Sequence, residues 1–152
     1  MKFQSTKKIG GFSTVFRQQK SAPIRCSFQH GYFLRFKIWF EGELDYRNWT
    51  TDFGFLKRSK TKINYQNINF TPDEWFNYMF DHTTVIAEDD TELEYFKEGE
   101  RRNILQLRII KHSGCERFAE LALVFRAGDC ALFSFVIQDV VDRGIDQIAL
   151  VA

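Results

Sequence analysis

The strongest constraint on the fold of this chain is the regular alternation of side chains over residues 32–42. Successive side chains of a β-strand point to opposite faces of a sheet. One face of this segment carries large apolar side chains, namely Leu34, Phe36, Ile38 and Phe40. The other face carries Arg35, Lys37 and Trp39. The pattern predicts a long strand with one face packed against a core.

Three further segments are β-rich. Residues 9–19 begin with Gly10-Gly11 and end at the turn from Lys20 to Pro23. We expect this run to pair with residues 32–42 as a long antiparallel hairpin. The segments 104–110 and 145–151 are predicted as additional strands.

Helix starts are marked by capping residues. Thr71-Pro72-Asp73-Glu74 has the pattern of a capping box with proline at the first helical position, and it predicts a short helix to about Phe80. Asp52 is the expected N-cap of a helix over residues 53–57. Asp90-Thr91-Glu92 is expected to open a helix that ends near Gly99, and Gly114-Cys115-Glu116 one that continues through Ala119 and Leu123.

The last segment fits two patterns. Its apolar residues follow a helical period from Leu132 to Val141, with Gly144 as the C-cap. Residues 131–138 also alternate as a strand would, through Phe133 and Phe135. We favour the helix over residues 132–143 and keep the strand as the alternative.

Composition limits the class of protein. A chain of 152 residues is the size of one domain, so we expect a single domain over residues 1–152. Its 17 Phe residues imply a core rich in aromatic rings. Three separated cysteines form no zinc-ribbon or disulfide pattern. The absence of a signal-peptide core and of a long apolar stretch predicts a cytoplasmic protein with no membrane segment.

Charge is distributed unevenly along the chain. Residues 1–40 hold eight Lys or Arg and no acid, whereas residues 71–100 hold ten acids and one Lys. The two charged regions could be solvated faces, a basic pocket for an anionic small molecule, or head-to-tail contacts between subunits. No nucleic-acid-binding signature is present, and we expect no nucleic-acid partner.

Two short stretches carry reactive side chains. Cys26 lies beside Arg25 and four residues before His30, and a neighbouring cation stabilises a thiolate. Asp81 precedes His82, and a carboxylate can orient an imidazole for proton transfer. Taken alone, the cysteine is more often a small buried apolar residue, and Asp81-His82 more often a turn after a helix.

In this order and spacing, these pieces resemble the 6-pyruvoyltetrahydropterin synthase and 6-carboxytetrahydropterin synthase family. The resemblance covers about residues 9–125 and rests on five segments: Phe12 to Phe16, Cys26 to Tyr32, Thr51 to Lys57, Asp81 to Thr84 and Gly114 to Ala119. They are similar to the family's first strand, its Cys-x-x-x-His-Gly-His, its Asp-Phe-x-x-Leu-Lys, its Asp-His-x-x-Leu and its Glu-x-x-Ala helix start.

The resemblance implies an α+β tunnelling fold, an antiparallel sheet with helices on one face. Sheets of several subunits are then expected to join edge to edge into a multi-subunit barrel with active sites between subunits. Joining would also cover the open edge strands of each sheet. The expected partners are therefore further copies of this chain and a small pterin triphosphate.

The resemblance also implies lyase chemistry on 7,8-dihydroneopterin triphosphate, in tetrahydropterin or deazapurine (queuosine precursor) biosynthesis. By position, Cys26 is the candidate base, and Asp81 and His82 are the candidate acid and proton relay. His30 is the candidate ligand of the family's zinc. The substrate-binding candidates are Arg17, Lys20, Arg25 and Glu116, the first three because cations suit a triphosphate.

The chain departs from the family at its metal position. Phe16 and Tyr32 stand where the family has two of its three zinc-binding histidines, so only His30 remains. A catalytic zinc normally takes three protein ligands, and we therefore expect none here unless His82 or His112 is recruited.

The chain also departs from the family near its C-terminus. No Glu follows Glu120, although the family binds its pterin through a late Glu. From about residue 126 the resemblance ends, so the chain either stops before that anchor or lacks it.

Two functions stay open. The first is a divergent lyase that uses Cys26, Asp81 and His82, and the second is a non-catalytic relative that binds a pterin or purine or is only structural.

Overall fold

In a computed structural model, the chain forms an α+β fold, and residues 1–58, 63–65, 68–122, 133–140 and 145–151 are described. The strands are β1 (Phe3–Phe16), β2 (His30–Gly42), β3 (Ile63–Tyr65), β4 (Ile68–Phe70), β5 (Thr83–Ala87), β6 (Leu107–Ile110), β7 (Phe133–Val140) and β8 (Ile145–Val151). The helices are α1 (Phe55–Arg58), α2 (Pro72–Phe80), α3 (Leu93–Arg101) and α4 (Cys115–Ala122).

Six of the strands form one sheet in the order β6-β5-β1-β2-β7-β8, and β3 and β4 form a separate pair. The predicted hairpin is confirmed, because β1 and β2 pair antiparallel from Phe3 with Gly42 to Phe16 with His30. The antiparallel part of the sheet continues through β7 and β8. On the other side, β5 and β6 add to β1 in parallel, so the complete sheet is mixed.

Strand β1 is longer than predicted and contains the glycine pair in its middle. The register shifts between Gly10 and Phe12, which is a β-bulge. Gly10 has a φ of 146°, and a Cβ at this position would lie 2.6 Å from the Cα of Arg35. The extra residue keeps both Ile9 and Phe12 on the face that packs against the core.

The main core lies on one face of the sheet, beneath α2 and α4. It joins the predicted apolar face of β2 to the aromatic side of α2, including the fully buried Trp75, Phe76 and Phe80. Phe36 lies 4.7 Å from Phe76 and 5.0 Å from Phe80 between ring centroids. The prediction of an α+β sheet with helices on one face is confirmed for this part of the molecule.

The parallel end of the sheet carries an additional layer. Consecutive residues of β5 point to opposite faces, and Val85 joins the main core while Ile86 packs with Phe96 of α3 and Leu107. All five residues of β5 are buried. Helix α3 therefore covers the sheet face opposite α2, whereas the expected fold has helices on one face only.

The start of α2 agrees with the sequence, whereas α1 begins at Phe55, two residues later than predicted. Thr71 accepts a hydrogen bond from the backbone N–H of Glu74, whose side chain accepts from the backbone N–H of Thr71 at 2.8 Å. Asp52 accepts from Gly54 N–H at 2.8 Å ahead of α1. Helix α4 begins at Cys115, and its predicted continuation through Leu123 lies outside the described residues.

Within the described residues, the helix favoured over residues 132–143 is wrong, and the strand kept as the alternative is confirmed over residues 133–138. Residues 133–140 form strand β7, and Phe133 pairs with Phe40 while Asp139 pairs with Leu34. The apolar residues fit both periods, so the long-range ladder to β2 decides the outcome. The predicted strand over residues 145–151 is confirmed as β8. Among the described residues, no helix is long and apolar enough to cross a lipid bilayer.

Candidate active site

Three aromatic rings meet where β1 ends and β2 begins. Phe16 is the register partner of His30, and Tyr32 follows two residues later on the same face of β2. The ring centroids lie 4.0 Å apart for Phe16 and Tyr32, 4.5 Å for His30 and Tyr32 and 6.5 Å for Phe16 and His30. The structure thus brings together the three positions that the resemblance assigns to the metal. We refer to these three residues as the ring cluster.

The hydrogen bonds of His30 hold its ring in place. Its Nδ1 lies 2.8 Å from the backbone carbonyl of Phe28, and its Nε2 is hydrogen bonded to the hydroxyl of Tyr32. A carbonyl oxygen can only accept, so Nδ1 carries a proton. In the neutral imidazole, Nε2 then accepts the proton of the Tyr32 hydroxyl.

The ring cluster does not fit the family's zinc. Phe16 offers no donor atom, is 2 % exposed and packs edge-on against Phe118 at 4.8 Å. Among the described residues, no three His, Cys, Asp or Glu side chains lie close enough together to hold a metal ion. Within the described part of the chain, His30 is therefore not joined by His82 or His112 in a set of three metal ligands.

Cys26 lies in a short 3-10 turn, Arg25–Ser27, directly before β2. Its backbone carbonyl accepts from Gln18 N–H at 2.8 Å, and Phe28 N–H donates to Arg25 at 3.0 Å. The residue is partly exposed, with a reduced thiol. The turn therefore presents Cys26 beside the point where β1 ends.

The second candidate pair, Asp81 and His82, lies in the turn after α2, and its two side chains are close together. His82 Nδ1 lies 3.1 Å from Asp81 Oδ1, and the imidazole is 76 % exposed. His82 has a φ of 55° and donates its backbone N–H to Ser13 at 2.8 Å. Asp81 also accepts from Ser13 N–H at 3.4 Å. The left-handed conformation of His82 thus leaves its imidazole facing solvent beside the Asp81 carboxylate.

The backbones of Cys26 and of the Asp81–His82 pair are bonded to β1 and its continuation at different positions. His82 is bound to Ser13, while Cys26 is bound to Gln18 beyond the end of β1. Ser13 lies within β1, whereas Gln18 follows Phe16, the last residue of that strand. The two halves of the predicted site therefore lie at different levels along β1.

Two of the predicted triphosphate contacts are occupied by carboxylates. Arg17 binds Asp90 through Nε at 2.9 Å and Nη2 at 2.5 Å, and the Asp90 side chain is 1 % exposed. Lys20 forms an exposed ion pair with Asp89. The hydrogen bond to Asp90 raises the pKa of Arg17. Burial alone would raise the pKa of Asp90, but the hydrogen bonds from Arg17 and from Glu92 N–H together lower it.

The surroundings of Lys20 form a cavity of about 300 Å³. It lies where the parallel strands β1, β5 and β6 end, and ligands commonly bind at the carboxyl ends of parallel strands. Its lining consists mainly of polar residues: Gln18, Gln19, Lys20, Asp89, His112 and Ser113. The other two substrate-binding candidates are exposed. Arg25 lies in the Cys26 turn, and Glu116 lies in the first turn of α4.

Sequence reasoning missed several residues at this end of the sheet. The amide of Gln19 donates to the carbonyl of Asp89 at 2.6 Å and accepts from Thr91 N–H at 3.0 Å. Ser113 donates to the carbonyl of Arg17 at 2.7 Å. The pairs are about 70 or more residues apart, so no local pattern indicates them. A larger cavity of about 650 Å³ lies at the far end of the hairpin, near Phe3 and Trp49.

The fold is similar to that of several solved structures. An uncharacterized protein from Wolinella succinogenes is 15 % identical, with 99 % of this chain and 98 % of that chain covered and a TM-score of 0.69. The 6-pyruvoyl tetrahydropterin synthase of Plasmodium falciparum is 10 % identical, with 99 % of both chains covered and a TM-score of 0.61. That of Caenorhabditis elegans is 14 % identical, covering 100 % and 95 %, with a TM-score of 0.56.

These identities are low, and they show the fold alone. No protein-family model and no curated protein sequence matches the chain. The predicted tunnelling fold is therefore confirmed as an α+β fold like that of 6-pyruvoyl tetrahydropterin synthases.

Proposed function

We propose that this chain is a divergent, cytoplasmic pterin-synthase-like lyase that acts on 7,8-dihydroneopterin triphosphate, in tetrahydropterin or queuosine precursor biosynthesis. The observation that carries the proposal is the Asp81–His82 pair. Its imidazole is exposed, with Nδ1 held 3.1 Å from the Asp81 carboxylate, on a fold similar to that of 6-pyruvoyl tetrahydropterin synthases. This arrangement suits a proton relay that meets a ligand from solvent.

The roles follow from the chemistry of each group. Cys26 removes a proton from a side-chain carbon of the substrate, and the electron pair left there forms a double bond as the neighbouring carbon–oxygen bond breaks and triphosphate leaves. His82 gives a proton to the departing oxygen. Asp81 keeps the proton-bearing nitrogen of His82 oriented. Because the ring cluster offers no set of metal ligands, the chain's own residues carry each of these steps.

The substrate's triphosphate is assigned to the polar cavity beside Lys20. The ion pair between Lys20 and Asp89 is exposed and weak, so Lys20 can exchange Asp89 for a phosphate. Arg25 adds a second cation, while Arg17 is neutralised by Asp90 and contributes less. Glu116 accepts N–H groups from the heterocycle, since a carboxylate pairs well with such an edge.

We propose that the site is shared with a second copy of the chain, because Cys26 and His82 are bonded at different positions along the β1 segment. Cys26 and His82 are separated along β1, so Cys26 of one subunit meets His82 of the next in a homo-oligomer. Co-expressing Cys26→Ala with His82→Asn tests this arrangement. With random mixing, about a quarter of the shared sites are intact, so activity should return to roughly that share of wild type. Mixed oligomers that stay inactive while both variants assemble would contradict a shared site.

The direct test is incubation with 7,8-dihydroneopterin triphosphate, followed by measurement of released triphosphate and acetaldehyde. We expect turnover that Cys26→Ala abolishes and Cys115→Ala retains, since Cys115 packs against the core and lies in α4. Turnover unaffected by Cys26→Ala would reject the assigned base.

The ring cluster favours a second candidate, a non-catalytic relative that binds a pterin or purine. Loss of the metal's Lewis-acid assistance removes several kcal/mol of barrier lowering. Calorimetric titration with a pterin separates the two candidates. Binding without release of triphosphate or acetaldehyde selects the non-catalytic protein.

A further inference from the structure

The three positions of the ring cluster are arranged like the three ligands of a metal site, but only His30 carries a nitrogen that could bind a metal. The β1–β2 register sets Phe16 opposite His30, and Tyr32 lies on the same face. The Phe16 and Tyr32 rings are stacked 4.0 Å apart with an interplanar angle of 16°. Histidines at these two positions would point toward the same space as His30, so the backbone is not what prevents metal binding.

His30 by itself presents no nitrogen to a cation. Nδ1 donates to the Phe28 carbonyl at 2.8 Å, and Nε2 accepts from the Tyr32 hydroxyl. A metal at Nε2 would have to break this hydrogen bond and would gain only one protein nitrogen. It would also lose hydration against the buried ring of Phe16, which is 2 % exposed.

The same hydrogen bonds connect the ring cluster to the turn that carries Cys26. The Phe28 carbonyl binds His30, while Phe28 N–H donates to Arg25 at 3.0 Å across the turn. The other side of the turn is held by the bond from Gln18 N–H to the Cys26 carbonyl at 2.8 Å. The orientation of the His30 imidazole therefore helps to fix the position of the turn that carries Cys26.

We infer that a hydrogen-bonded aromatic cluster of Phe16, His30 and Tyr32 replaces the metal in this chain, binds no zinc, and positions the Cys26 turn. His30 and Tyr32 are then positioning residues. This inference rests on the proposed function only where it assigns a role to Cys26. The absence of bound zinc follows from the geometry of the three rings alone.

The metal part is tested by creating the missing donors. Phe16→His/Tyr32→His should bind Zn²⁺ stoichiometrically and give the visible spectrum of tetrahedral Co²⁺, whereas wild type and each single variant should not. Stoichiometric zinc in the wild type that is lost in His30→Ala would overturn the inference. So would a folded double variant, with wild-type circular dichroism, that binds no metal.

The hydrogen bonds of His30 are tested in the wild type and in Tyr32→Phe. This test stays decisive even if the double histidine variant fails to fold. Nitrogen-15 NMR of the wild type should show His30 protonated at Nδ1 with Nε2 as the acceptor. Tyr32→Phe keeps the stacked ring and should shift the Nε2 resonance by removing its donor. A His30 protonated at Nε2 in the wild type, or an unchanged spectrum in Tyr32→Phe, would contradict the cluster.

The positioning part is tested by alkylation of each cysteine, followed by mass spectrometry. His30→Ala releases the Phe28 carbonyl, so the Cys26 rate should change by about threefold or more. The rate of Cys115 in the same molecules serves as the control and should stay constant. His30→Asn keeps a side-chain N–H for the carbonyl and should restore part of the wild-type rate. Equal rates at Cys26 in wild type and His30→Ala would refute the positioning role.

The outcomes separate this inference from the proposed function. Failure of the substrate assay with the expected metal and alkylation results leaves the cluster in place on a non-catalytic protein. Turnover that requires added zinc would reject the cluster while retaining the lyase.

Discussion

Strand β5 has a carboxylate pair at each end, and the two pairs differ in burial. Asp90 follows the strand and binds Arg17, with side chains 1 % and 18 % exposed. Asp81 precedes the strand and binds His82, with side chains 35 % and 76 % exposed. The two pairs contain similar groups but lie in different surroundings.

The difference indicates what each pair can do. A buried carboxylate needs its partner permanently, because an unpaired charge in a low-dielectric interior is costly. An exposed pair adds little stability, and its imidazole remains accessible to a ligand. We therefore interpret Arg17–Asp90 as structural and Asp81–His82 as available for chemistry.

The largest expected effect comes from breaking the buried pair. Asp90→Ala leaves Arg17 without its partner and removes the acceptor of Glu92 N–H at the start of α3. We expect the free energy of unfolding in urea to fall by about 3 kcal/mol. Asp89→Ala is the matched control and should change it little, because its ion pair with Lys20 is exposed. Equal losses in both variants would remove the distinction between the pairs.

Breaking the exposed pair should affect activity instead. His82→Asn removes the imidazole, and Asn tolerates the left-handed conformation at this position. Turnover of the pterin triphosphate should fall by about 100-fold or more, with an unfolding free energy within about 1 kcal/mol of wild type. Glu98→Gln, an exposed substitution on α3, serves as the control and should leave turnover unchanged. A strongly destabilised His82→Asn would show that this end of β5 is structural too.

Acid should reveal the buried pair through its pH dependence. The pKa of Asp90 is lowered in the folded chain, so its stabilisation is present above the unfolded value of about 3.9 and is lost as pH falls through the folded pKa. The stability difference between wild type and Asp90→Ala should therefore be constant near neutral pH and shrink below about pH 4. Urea unfolding from pH 7 to pH 2 measures this difference. A gap that stays constant down to pH 2 would contradict the assignment.

The smallest expected effect is confined to one end of β5. Thr71→Ala removes the capping box of α2, the helix that ends at Phe80 directly before Asp81, and should cost about 1 kcal/mol. Hydrogen exchange should become faster in α2 and stay unchanged in α3, which begins after Asp90. Faster exchange in both helices would mean that the two ends of β5 open together.

Local patterns predicted the elements that depend on neighbouring residues. The capping box at Thr71 and the alternation from Leu34 to Phe40 each lie within about ten residues, and both are found in the structure. A resemblance to a family, and not a local pattern, placed Phe16, His30 and Tyr32 in one group. The register of β1 and β2 brings these rings together.

Long-range contacts explain what local patterns missed. Arg17 was expected to bind substrate, yet its partner Asp90 lies 73 residues away and could not be identified from spacing. Residues 133–140 were expected to be helical, yet pairing with β2 makes them a strand.

The sequence by itself determined the core-facing side of β2, the start of α2, and the adjacent positions of Asp81 and His82. These features depend on side-chain period, capping and adjacency, which are local properties of the chain. Only the tertiary structure decided that Arg17 is neutralised, that β7 is a strand, and that Cys26 and His82 lie apart along β1. Each of these depends on which distant segments share a sheet, because burial and strand pairing outweigh local preference once the chain is folded.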